Sequence, residues 1–263
     1  MAVIGGGPAG LEAARTAAMR GHQVNLYEAS QSLGGQFQYA AALPHRAELI
    51  RIVDHLRDEI GRLGVAVELG SAINRVDDLP SPPDVLIVAT GAAPRRLDAH
   101  LQHPTVRVWL DILQEGVPEP HGKGRALVQD DGTGFWWTYG VVNALVDAGW
   151  RVTVATPSSS IAAAIPAESL TPLLVRLGQH GTTYRPLTLM TAVTDEGAVL
   201  TDITSGEEEA MPFELVVVQT GRESIDTFRS EPHGIETFWI GDCVAPRRVS
   251  NAIADGRRIG VAL

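Results

Sequence analysis

Gly5-Gly6-Gly7-Pro8-Ala9-Gly10 constrains this chain more than any other stretch. Ala2 to Ile4 precede it and read as a short buried strand. Leu11 to Arg20 follow as an Ala-rich helix, which Gly21 ends where a left-handed cap residue is wanted. Gln23 to Tyr27 read as a second strand, closing on Glu28. Gly5, Gly7 and Gly10 have the spacing G-x-G-x-x-G. In such a unit the first glycine permits the tight turn, the second lets the backbone approach a pyrophosphate, and the third lets the helix sit close to the strand. The helix N-terminus aims free N–H groups and its positive dipole end at the phosphates. Gly5, Gly7, Pro8, Ala9 and Gly10 are thus the candidate phosphate-binding turn, and Glu28 is placed to accept hydrogen bonds from an adenosine ribose. The glycine spacing alone is a weak signal. Strand, glycines, helix, strand and terminal acid together are a strong one.

Composition narrows the function classes. The chain has 263 residues and a net charge of −10, which argues against a nucleic acid or an anionic membrane surface as partner. No apolar run approaches the length of a membrane span. Met1 leads straight into a core strand rather than a basic leader, so a cytoplasmic location is expected. Cys243 is the only cysteine, which excludes a disulfide framework, a C-x-x-C redox pair and a cysteine-held cluster or zinc site within this sequence. No metal site is expected. His100, His103 and His121 match no metal-site spacing and read as solvated loop residues. A nucleotide strand that starts at the second residue suggests either a minimal chain or a module that works with something larger.

Further along, Gly34 and Gly35 mark a loop that approaches a ligand or another segment, with Gln36 beside it. Glu48 to Leu63 carry apolar residues at helical spacing. Asp84 to Ala89 form a fully apolar strand that runs into Thr90-Gly91. A second strand–turn–helix–strand follows: strand Ala126 to Gln129, turn Asp130 to Trp137, helix Thr138 to Ala148, strand Arg151 to Ala155. It echoes residues 2–28 and makes an internal repeat. Phe213 to Gly221 repeat the apolar strand ending in Thr-Gly. Glu207 to Glu209 read as a solvated loop. Thr237 to Asp242 read as a strand ending in Gly241-Asp242, and Ser250 to Leu263 as the closing helix, with Ser250 or Asn251 as its N-cap.

This arrangement resembles the two-dinucleotide-binding-domain flavoproteins. It implies an α/β chain of two Rossmann-like domains of glutathione-reductase-like type, the second inserted in the first. The expected boundaries are 1–95 with 221–263 for an FAD- or ADP-binding domain, and 96–220 for an NAD(P)-binding-like domain. The resemblance assigns Gly5, Gly7, Gly10, Glu28, Thr90, Gly91, Gly241 and Asp242 to the flavin side, with Asp242 accepting a ribityl hydroxyl. Leu33 to Phe37 (which include Gly35 and Gln36), the Asp130-Asp131 turn and Gly241 to Arg247 are similar to the C-terminal half of the trimethylamine dehydrogenase, histamine dehydrogenase and 2,4-dienoyl-CoA reductase family. That family's full-length members carry an FMN barrel and an iron–sulfur cluster. The resemblance therefore implies a partner with FMN and/or an iron–sulfur cluster, and it places no catalytic residue on this sequence.

The second turn argues against NAD(P)H. Asp130 and Asp131 put carboxylates where a pyrophosphate would lie. Counting from Gly132 and Gly134, the third glycine position carries Trp137, and the second strand ends Ala155-Thr156-Pro157 with no acid for a ribose. Phe135, Trp136 and Trp137 read first as packing under the helix, and second as a plug or docking patch. Three functions remain open. One is an FAD-binding subunit or module of a flavin-dependent oxidoreductase that passes electrons with its partner, in amine or N-methyl oxidation. The second is a stand-alone NAD(P)H-dependent flavin reductase. The third is a non-catalytic ADP-binding structural subunit.

Overall fold

The computed structural model describes residues 1–225, 228–229 and 234–263. The chain divides into two compact units. The first holds 1–41, 47–93 and 222–263; the second holds 42–46 and 94–221. The expected crossings lay after 95 and 220, and the short excursion 42–46 was not foreseen. Arg95 and Gly221, bonded to each other through Arg95 N–H and the Gly221 carbonyl at 3.2 Å, both belong to the second unit.

The first stretch lays down β1 (Ala2–Ile4), α1 (Pro8–Met19), β2 (Asn25–Glu28), α2 (Phe37–Ala42), α3 (Ile50–Arg62), β3 (Ala66–Leu69), β4 (Val85–Val88) and β5 (Ala92–Pro94). The middle stretch gives β6 (Val106–Val108), α4 (Trp109–Glu115), β7 (Arg125–Gln129), α5 (Trp136–Asp147), β8 (Arg151–Ala155), α6 (Ala167–Gln179) and β9 (Thr183–Arg185). It then adds β10 (Thr188–Thr194), β11 (Gly197–Asp202), β12 (Glu208–Met211) and β13 (Leu215–Val218). The chain closes with β14 (Arg222–Ser224), β15 (Glu236–Trp239) and α7 (Val249–Ala262).

Each unit is built on a five-stranded sheet. The first runs β15-β4-β1-β2-β3 and the second β6-β13-β7-β8-β9, with neighbouring strands parallel. The two orders superimpose, β1 on β7, β2 on β8 and β4 on β13, so the repeat seen in the sequence is a repeat of the whole sheet. Strands buried on both faces read as continuous apolar runs, as Val85–Val88 and Leu215–Val218 do. The antiparallel sheet β10-β11-β12 belongs to the second unit.

Helix α1 is Ala-rich because α7 lies directly on it. A Cβ on Gly256 would sit 2.3 Å from the Ala9 carbonyl oxygen, and one on Gly260 2.7 Å from Thr16 Cβ. Close backbone approach leaves room only for small residues. The same contact brings the loop before α7 to the start of α1.

Several elements differ from the sequence reading. Helix α1 starts at Pro8, since proline fits a first helical position whose N–H needs no partner. Helix α7 starts at Val249 with Arg248, not Ser250 or Asn251, at its N-cap. Glu208 and Glu209 lie on the exposed edge strand β12, not in a loop; charged side chains are tolerated where the strand faces water. His103 is no solvated loop residue: its ring nitrogens lie 2.9 Å from Thr105 Oγ1 and 3.1 Å from Asp195 Oδ1. His121, exposed in its loop as expected, meets the Trp150 ring edge-on at 5.4 Å. Among the described residues no helix is long and apolar enough to cross a membrane.

Candidate functional site

In the first unit, the residues singled out from the sequence gather at the carboxyl ends of β1, β2, β4 and β15, the edge of an open parallel sheet where ligands bind in such folds. Gly5 leaves β1 with φ +105°, and its N–H donates to the Tyr27 carbonyl at 2.8 Å. A Cβ there would fall 2.3 Å from the Ala89 carbonyl oxygen, so the turn between β1 and β4 admits only glycine. A Cβ on Gly10 would fall 1.9 Å from the Gly5 carbonyl oxygen. Gly7 differs: a Cβ there would meet nothing within 4 Å. Gly7 is also the N-cap of α1, followed by Pro8, and no side chain caps the helix. The first-turn amides of Ala9 and Gly10 lie at positions with no acceptor within the helix.

Glu28, at the end of β2, is 9% exposed. Its Oε2 accepts the Gly6 N–H at 2.6 Å and its Oε1 the Ser30 N–H at 2.8 Å. The acid thus shapes the glycine turn as well as facing the edge, a task the sequence reading missed. Gly35 lies against Gly7, its Cβ position 3.3 Å from Gly7 Cα, and the Gly34 N–H donates to the Gly6 carbonyl at 2.8 Å. The Gln36 amide nitrogen donates to the Ala92 carbonyl, which fixes the amide's orientation. Its Oε1 is buried without a donor. Such an acceptor costs stability unless something supplies a proton. Thr90 donates to the Ile225 carbonyl at 3.1 Å, and Gly91 accepts the Ile225 N–H at 3.0 Å.

Gly241 sits on the start of α1, its Cβ position 2.8 Å from Ala9 Cβ. Asp242 follows, and both of its oxygens already have donors. Oδ2 takes the Arg222 guanidinium at 2.6 Å and Oδ1 the Arg247 N–H at 2.9 Å. Asp255 on α7, 6% exposed, accepts the Gly241 N–H at 3.3 Å and pairs with Arg247 and Arg258. Arg222 and Asp255 escaped the sequence reading. No local spacing ties them to Gly241-Asp242. Cys243 is 1% exposed, donates to backbone carbonyls, and burial pushes its thiol pKa up, so it is a packed residue rather than a nucleophile.

In the second unit the corresponding edge is built differently. Asp130 N–H donates to the Ala155 carbonyl and Gln219 N–H to the Gln129 carbonyl, just as Gly5 N–H donates to Tyr27 and Ala89 N–H to Ile4. Asp130 therefore stands at the Gly5 position. The N-cap of α5 is Phe135, five residues on from Asp130, where Gly7 lies two on from Gly5, so this turn is three residues longer. The third-glycine position falls on Thr138, not on Trp137. Counting glycines had shifted the comparison by the length of the insertion.

The Asp130 carboxylate, in a residue 1% exposed, fills this turn. Oδ2 accepts the Gly132 N–H at 3.0 Å, the Gly134 N–H at 3.2 Å and the Thr156 hydroxyl at 2.9 Å; Oδ1 accepts the Thr138 hydroxyl at 2.6 Å. Two amides of this turn, those of Gly132 and Gly134, are committed to an internal carboxylate. Residues 162–164 cover the turn as well: a Cβ on Gly134 would lie 2.5 Å from the Ala163 nitrogen, and Ala164 N–H donates to the Gly134 carbonyl at 3.2 Å. Trp137 contacts Trp109 with ring centroids 4.7 Å apart, and the Arg46 guanidinium lies 4.1 Å over the Trp136 ring, its pKa lowered by burial. The aromatic cluster is thus packing around α5.

Residues 1–114 match the family described as pyridine nucleotide-disulphide oxidoreductase. The matched stretch holds the glycine turn, Glu28 and Thr90-Gly91. The chain's single cysteine, Cys243, is buried and free, so it has no disulfide pair of its own. It is 30% identical over 290 residues to a probable N-methylproline demethylase of Rhizobium meliloti (strain 1021), covering 98% of this chain and 42% of the relative. It is 28% identical over 263 residues to an NADH oxidase of Thermoanaerobacter brockii, covering 98% of this chain and 40% of the relative. Among solved structures, the 6-hydroxypseudooxynicotine amine oxidase of Pseudomonas geniculata N1 matches with a TM-score of 0.88 at 28% identity, over 98% of this chain and 41% of that one. The chain thus spans about two fifths of the length of the relatives it matches.

Proposed function

We propose that this chain is the FAD-binding part of a flavin-dependent oxidoreductase, with ADP as the alternative ligand of the same site. In this reading it passes electrons with a partner, or a further domain, that carries FMN and/or an iron–sulfur cluster. The contrast between the two turns carries the reading. The first has an open Gly7, an uncapped α1 and glycines at both crowded positions; the second holds a buried carboxylate on its turn amides and is covered by 162–164.

The nucleotide would lie along the first unit's sheet edge. The turn Gly5 to Gly10 would take the diphosphate, with Pro8 and Ala9 opening the helix whose dipole favours its charge. Glu28 would hold the ribose through lone pairs its two amide donors leave free. Gly35 gives the ligand a wall of backbone. The donor-less Gln36 Oε1 would accept an N–H or O–H, and Thr90, Gly91, Gly241 and Asp242 would line the far end. A bound flavin would supply one- or two-electron transfer. NAD(P)H would find no phosphate site in the second unit. Oxidation of an amine or N-methyl substrate is the chemistry suggested by the demethylase and amine oxidase relatives.

Denaturing the purified protein and identifying the released nucleotide by mass and absorbance tests this. FAD, or ADP, is expected. Anaerobic mixing with NADH and with NADPH should leave a bound flavin oxidised. Rapid bleaching would favour a stand-alone reductase like the NADH oxidase relative and would overturn the account of the second turn.

A further inference from the structure

Arg222 opens β14, the first residue of the chain after its return to the first unit. Its Nη1 donates to Asp242 Oδ2 at 2.6 Å and its Nη2 to the Arg247 carbonyl at 3.0 Å. On the same two strands of chain, the Ser224 hydroxyl donates to the Asp242 carbonyl at 2.8 Å. The paired side chains are only 15% and 20% exposed, so water competes weakly for either partner. Glu28 is held otherwise: the neutral backbone amides of Gly6 and Ser30 donate to its carboxylate.

The sheet order separates the two acids. Glu28 ends β2, the glycine turn follows β1, and Asp242 follows β15, so three strand spacings, roughly 14 Å, lie between the acids. A ligand that ends at the diphosphate can meet Glu28 and the glycine turn. Only a ligand that continues past the diphosphate with further hydroxyls reaches Asp242, and there it meets a carboxylate already paired with a fixed cation.

We propose that Arg222 determines how long a nucleotide the first unit retains, by competing with the ligand's hydroxyls for Asp242. This rests on the reading of the first unit as the nucleotide-holding one. Arg222 is a specificity residue, with no contact to the adenosine end and no part in electron transfer. With Arg222 in place the balance moves toward ADP; without it, Asp242 keeps one amide donor and offers Oδ2 to a ribityl-type hydroxyl. A charge-assisted hydrogen bond exchanged in this way shifts the balance about tenfold.

The test equilibrates the purified chain with an equimolar mixture of ADP and FAD, removes free ligand, and counts both nucleotides after denaturation. Wild type, Arg222→Leu, Arg222→Lys and the double variant Arg222→Leu/Asp242→Asn are compared. The retained FAD:ADP ratio should rise about tenfold in Arg222→Leu and less in Arg222→Lys, and should return toward the wild-type value in the double variant. If the ratio does not change, Arg222 is only a clamp on residues 242–247 and the proposal is wrong; the lysine variant decides the same point if the leucine variant fails to fold. The sum of the two nucleotides reports separately on the underlying reading, and a wild-type chain that retains neither would overturn that reading and this proposal with it.

Discussion

Replacing Asp130 by alanine tests whether an internal carboxylate has taken over the second nucleotide turn. In the native chain this side chain satisfies two amides, Gly132 at 3.0 Å and Gly134 at 3.2 Å, and two hydroxyls, Thr156 at 2.9 Å and Thr138 at 2.6 Å. Alanine leaves all four without their acceptor in a buried turn. The hydroxyls can rotate toward other acceptors, but the amides cannot. Two stranded amides cost about 1–3 kcal/mol each, and relief from burying a charge returns part of that. The net loss should be about 3 kcal/mol, a large share of the stability of a typical domain. For a chain of this size that is a fall in Tm of roughly 6–12 °C. Asp130→Asn keeps an oxygen for Gly132, Gly134 and Thr156 and can donate to the Thr138 hydroxyl, so it should lose only about 1 kcal/mol. Denaturant melts of the three proteins would measure this. Equal stability of the alanine and asparagine variants, or no change in either, would refute the claim that the carboxylate organises the turn.

Other outcomes follow from the same geometry. Gly256→Ala places a methyl 2.3 Å from the Ala9 carbonyl oxygen and should destabilise by about 1–3 kcal/mol in a urea melt. Gly61→Ala on α3, whose Cβ would meet nothing within 4 Å, should stabilise by about 0.5–1 kcal/mol. The hydrogen-bonded Arg125 guanidinium holds the Glu214 carboxyl down at about 2, from an ordinary 4.5. Because the folded value is the lower one, this pair's stabilisation is present above pH 4.5 and fades as the pH falls from there toward 2. The Tm of Glu214→Gln should therefore depend less on pH than that of the wild type across that window. A parallel pH dependence of the two proteins would sink the assignment.

How far the sequence revealed this molecule depended on whether a feature was local. The β1 turn was legible because strand, glycines, helix and acid are consecutive, and Gly5 and Gly10 are each required by a contact formed within the same unit. The sheet repeat was legible because both copies end apolar strands in the same Thr-Gly step. The second turn was misregistered because glycines were counted where strand ends should have been aligned; Asp130 follows β7 just as Gly5 follows β1, and that signal was present. The three inserted residues make room for a carboxylate to reach the turn amides, which no spacing rule for glycines expresses. The Arg222–Asp242 pair was out of reach, since it forms only when β14 and the loop after β15 fold together. Asp255 was hidden for the same reason, since its partners Gly241 and Arg247 lie in the loop before the helix. Glu28 stood out as an acid at a strand end with a place beside a ribose, but its hold on the Gly6 and Ser30 amides depends on how the loop after β2 folds back.

The central claim is that one of the two repeated turns is built to keep a nucleotide and the other is internally filled. The most direct measurement is the number of adenine nucleotides retained per chain after equilibration with FAD, ADP and NADPH together, counted by mass after denaturation. The account predicts one per chain, as FAD or ADP, with no NADPH retained. Two nucleotides per chain, or any stoichiometric NADPH, would contradict it.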